Sequence, residues 1–226
     1  MAWKTAFPDA LCPPRGLTAI FGSGGKTSLM LALCALLRRT GTIIVSTSTH
    51  IYPPPGIACA QEEAEIMRIL PAQGAVCAAQ AAAESGKLCA PPIAFSRLCA
   101  LADYVLVEAD GARGLPLKAH APFEPAIPRE AAWRILVLGA SGFGRPIAEA
   151  AHRPERYAAL CGCSPEDIVT PRRAARVVAA MPRYDALFVN QVETLEVAER
   201  ARELAGLVAA PVFAGSLREG RFQCLS

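Results

Sequence analysis

The feature that most restricts this chain is the junction of a short apolar run, Leu17–Phe21, with the glycine-rich hexapeptide Gly22–Thr27. A helix-forming run from Lys26 to Arg39 follows at once. Strand, tight loop and helix in that order aim the loop's backbone amides at one point, and the glycines let a ligand come close to them. The helix adds the positive end of its dipole there. Lys26 supplies a mobile cation and Thr27 a hydroxyl for a hard metal ion. The combination predicts a site for the phosphates of ATP or GTP, made by Gly22, Ser23, Gly24, Gly25, Lys26, Thr27 and Ser28. A plain glycine turn with a surface lysine would need neither flanking element.

The spacing departs from the usual G-x-x-x-x-G-K-[ST], because Ile20 stands five residues before Gly25. The shortened G-x-x-G-K-T resembles the loop of the Mur ligases, which bind ATP.

Other apolar runs alternate with helical stretches. Thr42–Ser46, Tyr104–Glu108, Arg134–Gly139, Ala186–Asn190 and Pro211–Gly215 read as strands buried on both faces, the last closing the sheet. Helices are predicted over 61–70, stopped by Pro71, and over 94–102, 155–160, 172–180 and 195–207. Ala75–Ala78 and Lys87–Ala90 read as a small hairpin or an added lobe. The pattern predicts one α/β domain over residues 1–226. It is a three-layer, P-loop NTPase-like fold with a mostly parallel sheet and, as an option, a small inserted lobe around residues 57–100. Ligands of such sheets bind beyond the carboxyl ends of the strands. The chemically suggestive residues fall there.

Glu108 and Asp110 end one strand and, two apart, share a face. Asp110 is read with Thr27 as a magnesium ligand, and Glu108 as a group that orients or deprotonates a nucleophile. The hydroxyl run Ser46–Thr49 is placed to meet phosphate or metal, and His50 to carry a proton or to play a structural part. Arg113 and Lys118 either neutralise phosphate or are solvated. Asn190-Gln191-Val192-Glu193 resembles the N-K-x-D motif by which GTPases read guanine, with Gln191 for Lys and Glu193 for Asp. Equally, Asn190 caps a helix beginning near Glu193.

Composition narrows the class. The 226 residues carry a net charge of +3, and 53% are hydrophobic. The basic residues form no long cluster, which argues against nucleic acid. The apolar stretch Leu29–Leu37 is too short for a bilayer, and Met1–Arg15 lacks a signal-peptide pattern. A cytoplasmic protein without membrane association is expected. Nine cysteines, an odd and scattered set, argue against disulfides. Cys161 and Cys163 read as buried thiols or as soft-metal ligands.

Several blocks taken together resemble the YqeC family of accessory proteins for selenium-dependent molybdenum hydroxylases. They are Phe21–Met30, Ser46–Ile51, Val107–Lys118, Glu124–Pro128, His152–Glu155, Asp167–Pro171 and Asn190–Glu193. The chain departs from the family pattern at Glu193, where Asp is expected, and at His120. The resemblance implies a part in maturing such a hydroxylase or its cofactor, with that client or its maturation proteins as partners. Three functions follow. The first is a magnesium-dependent NTPase with Lys26, Glu108, Asp110 and His50 as catalytic groups. The second is a nucleotide-gated carrier or chaperone with negligible turnover. The third is a small-molecule kinase or ligase, with 115–128 as its acceptor or partner loop.

Overall fold

The computed structural model describes residues 3–82 and 86–226. Ala83, at the end of an alanine-rich tract, and the first two residues lie outside them.

A nine-stranded sheet forms the middle layer. Its strands are β1 (Gly16–Gly22), β2 (Ile43–Thr47), β3 (Cys59–Ala60), β4 (Ala75–Ala78), β5 (Tyr104–Glu108), β6 (Ala131–Gly139), β7 (Ala186–Asn190), β8 (Val212–Ser216) and β9 (Arg221–Cys224). Their spatial order is β9-β8-β7-β6-β1-β5-β2-β4-β3. Every pairing is parallel except that of β8 with β9. β1 lies between β5 and β6, with Ile20 opposite Glu108 on one side and Ile135 on the other. The chain leaves β1 towards β2 on one side and later reaches β6 on the other. A crevice therefore opens at the carboxyl end of β1.

Alternate residues of each strand face opposite layers, as a two-residue side-chain period requires. Ile20, Val45, Leu106, Val137 and Phe188 pack with Leu29, Met30 and Leu33 of helix α1 (Lys26–Leu37). On the other face, Ala19, Ile44 and Val105 meet Ile66 and Leu70 of α2 (Glu63–Gln73) and Leu98 of α3 (Phe95–Leu101). Further along that face, Phe21, Leu136 and Val189 meet α4 (Ile147–Ala150), α5 (Pro154–Cys161), α6 (Pro171–Ala179) and α7 (Leu195–Ala205). This is the P-loop NTPase-like α/β arrangement anticipated from the sequence, a mostly parallel sheet flanked by helices. No helix among the described residues is long and apolar enough to cross a membrane.

Three elements differ from the sequence reading. α2 runs through Pro71 to Gln73 instead of stopping before it. Only the last turn lies beyond the proline, so few hydrogen bonds are at stake, and Gly74 at φ 69° closes the helix in the left-handed region. Ala75–Ala78 is no hairpin arm: it pairs in parallel with β2. Leu88–Cys89 belongs to a separate three-stranded sheet with His50–Ile51 and Gln80–Ala81. The strand β8 does not close the main sheet, because β9 adds an antiparallel edge beyond it. A tight turn at Gly220, φ 64°, allows that reversal.

Phe188 is fully buried in the interior strand β7. Phe188→Ala is expected to lower unfolding stability by about 3–5 kcal/mol, read from chemical denaturation.

Candidate functional site

The loop between β1 and α1 is packed against backbone on three sides. Gly24 has φ 77°, and a Cβ there would lie 2.3 Å from Gly139. Gly25 has φ 125°, and a Cβ there would lie 2.3 Å from the Asn190 amide. No side chain fits either position, so these glycines are set by close approach as well as by dihedral angle. The Ser23 hydroxyl donates to the Pro116 carbonyl at 2.9 Å, and Asn190 Nδ2 donates to the Gly24 carbonyl at 2.8 Å. Asn190 Oδ1 in turn accepts from the Leu217 amide at 3.1 Å. Asn190 thus ties two strand ends to the loop. The helix cap that the sequence offered for it is made by Thr194, whose hydroxyl accepts from Val197.

Beneath the loop lies a buried charge cluster. Both oxygens of Asp110 accept from the Gly22 amide, at 3.1 and 3.0 Å. Asp110 Oδ2 also receives Lys118 Nζ at 2.9 Å and His120 Nε2, while Lys26 Nζ stands 3.4 Å from Oδ1. Lys118 reaches Glu124 at 3.0 Å, and Glu124 accepts from Arg153 at 2.6 Å. Burial would push the Asp110 carboxyl up. The His120 bond and the charges of Lys26 and Lys118 outweigh it and hold the group below the ordinary aspartate value.

Glu108 is placed differently. Its Oε2 accepts from the Thr27 hydroxyl at 2.6 Å, and Oε1 lies 3.6 Å from Lys26 Nζ. Burial raises its pKa, opposed by Lys26 and the Thr27 bond. Unlike Asp110, it lines an open cleft of about 660 Å³ together with Gly24–Ser28, His50, Lys87 and Arg113. A second cleft of about 510 Å³ shares Gly25, Ser28 and Gln191 with the first and adds Asn190, Glu193 and Ser216–Arg218. One ligand can therefore span both. In the second cleft Glu193 accepts from Ser216 at 3.3 Å and pairs with Arg218 at 2.6 Å.

Several sequence assignments change on this geometry. Asp110 does not suit a metal ligand, being wholly buried with both oxygens engaged by donors of the chain itself. Lys118 neither meets the cleft nor solvent, since its ammonium is spent on Asp110 and Glu124. The hydroxyl run turns inward: Ser46 donates to Ala78 O at 2.7 Å and Thr47 to Glu108 O at 2.9 Å. His50 is exposed on the cleft wall. Cys161 donates to Arg173 O, and burial, with Cys163 beside it, pushes its thiol up to about 12. All nine cysteines are free, and no cluster of three or more His, Cys, Asp or Glu placed to hold a metal ion occurs among the described residues.

Sequence reasoning missed the roles of His120, Glu124 and Arg153. No periodicity marks them, since the His120–Asp110 and Arg153–Glu124 contacts span 10 and 29 residues. It also missed Ser216–Arg218, which reach the site only because β8 lies beside β7.

A family model described as YqeC protein matches residues 18–155. The protein printed as "Uncharacterized protein YqeC" from Escherichia coli (strain K12) is 32% identical over 157 residues. That alignment covers 66% of this chain and 61% of the relative, so the chain spans less than two thirds of the length of the curated relative it matches. The family match takes in the loop and the whole Asp110 cluster, and leaves the second cleft's Asn190, Glu193 and Arg218 outside.

Removing one partner from a buried charge cluster strands the others. Asp110→Asn is expected to cost about 3–5 kcal/mol of stability. Glu108→Gln, which removes a carboxylate already penalised by burial, should cost less than half as much. Urea unfolding of the two variants beside the parent checks the ranking.

Proposed function

The chain belongs to the YqeC family, and on that footing we propose that it is a magnesium-dependent nucleotide-binding protein that cleaves the terminal phosphoanhydride of ATP or GTP. The observation that carries this reading is the Thr27–Glu108 hydrogen bond at the mouth of the glycine loop, with the Lys26 ammonium beside it. A glycine loop whose residues Gly24–Ser28 line the cleft, a cation and an oxygen pair at the same cleft are what a nucleotide's phosphates require.

Each residue then has a part. The amides of Gly24–Thr27 and the Lys26 ammonium hold the phosphates. Asp110 takes no direct part: it fixes the Gly22 amide and so the shape of the loop. Magnesium is bound through few protein oxygens, keeping waters and substrate phosphates as its other ligands. Thr27 and Glu108 fit that need, and the ion would supply charge neutralisation on the phosphates. In hydrolysis a water oxygen bonds to the terminal phosphorus as the bridging P–O bond breaks, and the nucleoside diphosphate leaves with that bond's electrons. Glu108 and His50 are the groups at the cleft able to orient that water. The second cleft is the place for the base, with Asn190, Gln191 and Glu193 around it.

One observation favours a nucleotide-gated carrier with negligible turnover as a second reading. Among the described residues Glu108 is the one carboxylate on the lining of the main cleft, and it is already bonded to Thr27. The resemblance to accessory proteins of selenium-dependent molybdenum hydroxylases supplies the biological setting under either reading. The nucleotide would drive or gate a step in maturing such an enzyme or its cofactor, in the cytoplasm.

Purified protein with magnesium is expected to turn over ATP or GTP, and Lys26→Ala to reduce that turnover by at least about a hundredfold. Glu108→Gln should lower turnover while leaving tighter binding of nucleotide without magnesium in place. No binding of either nucleotide by the parent would overturn the reading. Glu193→Ala is expected to shrink the ratio of GTP to ATP affinity by about tenfold if guanine is the base read, measured by competition titration.

A further inference from the structure

A third pocket, of about 440 Å³, adjoins the main cleft and shares Arg113 and Leu115 with it. Its remaining wall is Ala148, Ala151, His152, Arg153 and Pro154. Among the described residues no acidic side chain lines it. Arg113 is exposed at its edge and makes no hydrogen bond or ion pair among the described residues. Arg113 is also held at φ 51°, and Arg153 at φ 65°, so two non-glycine residues flanking the pocket sit in the left-handed region.

The pocket floor ends at α5, whose first residue is Pro154. Proline has no amide hydrogen, so the next free amides of that first turn belong to Glu155 and Arg156. The partial positive end of an eight-residue helix thus joins the cationic side chains. Arg153 is anchored by Glu124 and by the Ala119 carbonyl, which fixes its guanidinium at the rim. The His152 imidazole is held below its ordinary pKa, first by burial and then by the positive charges of Arg153, Lys118 and Arg113, which outweigh the nearby Glu124 carboxylate. Arg153 and Lys118 already have Glu124 as a partner, whereas Arg113 has none among the described residues and is free to meet an anion in the pocket.

We infer that this pocket seats the phosphate or carboxylate group of a second small-molecule ligand, held beside the nucleotide. Two geometric features point the same way: the unpaired Arg113, and a lining that brings Arg113, His152 and Arg153 together with no carboxylate among the described residues. The pocket's position deepens the proposed function, and rests on it for the identity of the neighbour. The base cleft, the phosphate cleft and this pocket form a continuous series through shared residues. A second ligand there lies next to the phosphate cleft, as the substrate of a kinase or ligase must.

The test is a titration of isotope-labelled full-length protein with inorganic phosphate and, separately, acetate, followed by backbone amide NMR. Amides of Glu155, Arg156 and Tyr157 report this pocket, and those of Gly24–Thr27 report the loop. Saturable shifts at the α5 amides are expected, with chloride at equal ionic strength producing none. His152→Glu, a half-buried side chain with no hydrogen bond to lose, should weaken the α5 response by at least about tenfold and leave the loop response unchanged. Arg113→Ala should weaken the α5 response too. Silent α5 amides, an equal effect of chloride, or a response indifferent to His152→Glu would each overturn the inference. Shifts at α5 with a loop indifferent to nucleotide would uphold it and sink the nucleotide reading instead.

Discussion

The grip of Asp110 on the Gly22 amide is the constraint on which the rest of the site depends. A tight loop of glycines has little intrinsic preference for any one shape, and glycine loses more conformational freedom on folding than any other residue. Two carboxylate oxygens on one amide fix where β1 ends and how the loop begins. The carboxylate is tolerable at zero exposure only because cations surround it. Lys26, Lys118 and Arg153 balance Asp110, Glu108 and Glu124 in number, with His120 adding a hydrogen bond. The cluster spans β1, α1, β5, the 115–128 segment and the start of α5, so it joins elements that are distant in sequence.

That balance also separates the two acids. They sit two apart and both approach the same ammonium, as a strand period of two requires. Glu108 is the last residue of β5 and lines the cleft, whereas Asp110 follows the strand and turns under the loop. A carboxylate wrapped by its own chain's donors serves to shape; Glu108, held only by Thr27 and Lys26 at the cleft, keeps acceptor capacity for a ligand. The division is a matter of two residues of chain, and no periodicity argument can resolve it.

What could be read from the sequence was whatever is local. The alternation of apolar runs and helical stretches placed six strands of the sheet and the loop between β1 and α1, because each of those signals lies within a single window. The distant contacts were not legible in that way. Pro116 acts through a carbonyl, so its side chain gives no hint that Ser23 and Gly139 bond to it. His120 looked like a departure from a pattern, and proves to sit on Asp110. Leu88–Cys89 was joined to Ala75–Ala78 as a hairpin or an added lobe; its partners are instead Gln80–Ala81 and His50–Ile51, and the latter was not legible because the whole of α2 lies between. The family-like blocks were the best guide to such contacts. Val107–Lys118, Glu124–Pro128 and His152–Glu155 are scattered along the chain, yet each contributes a member to one charge cluster.

The second cleft carries the same lesson into specificity. Glu193 is only partly covered, and its partner Arg218 is mostly exposed, so the ion pair between them adds little stability and opens at small cost. A carboxylate has about four acceptor sites, and Ser216 and Arg218 occupy two of them. The acid therefore keeps capacity for a pair of donors presented on one edge of a base, which guanine offers through N1 and N2 and adenine does not. Its longer side chain, relative to an aspartate, is drawn back towards Arg218, so reach is taken up by the ion pair. Under the proposed function, base choice would turn on a contest between a surface cation and a ligand for one carboxylate, with Asn190, locked onto Gly24 and Leu217, holding the cleft's floor still.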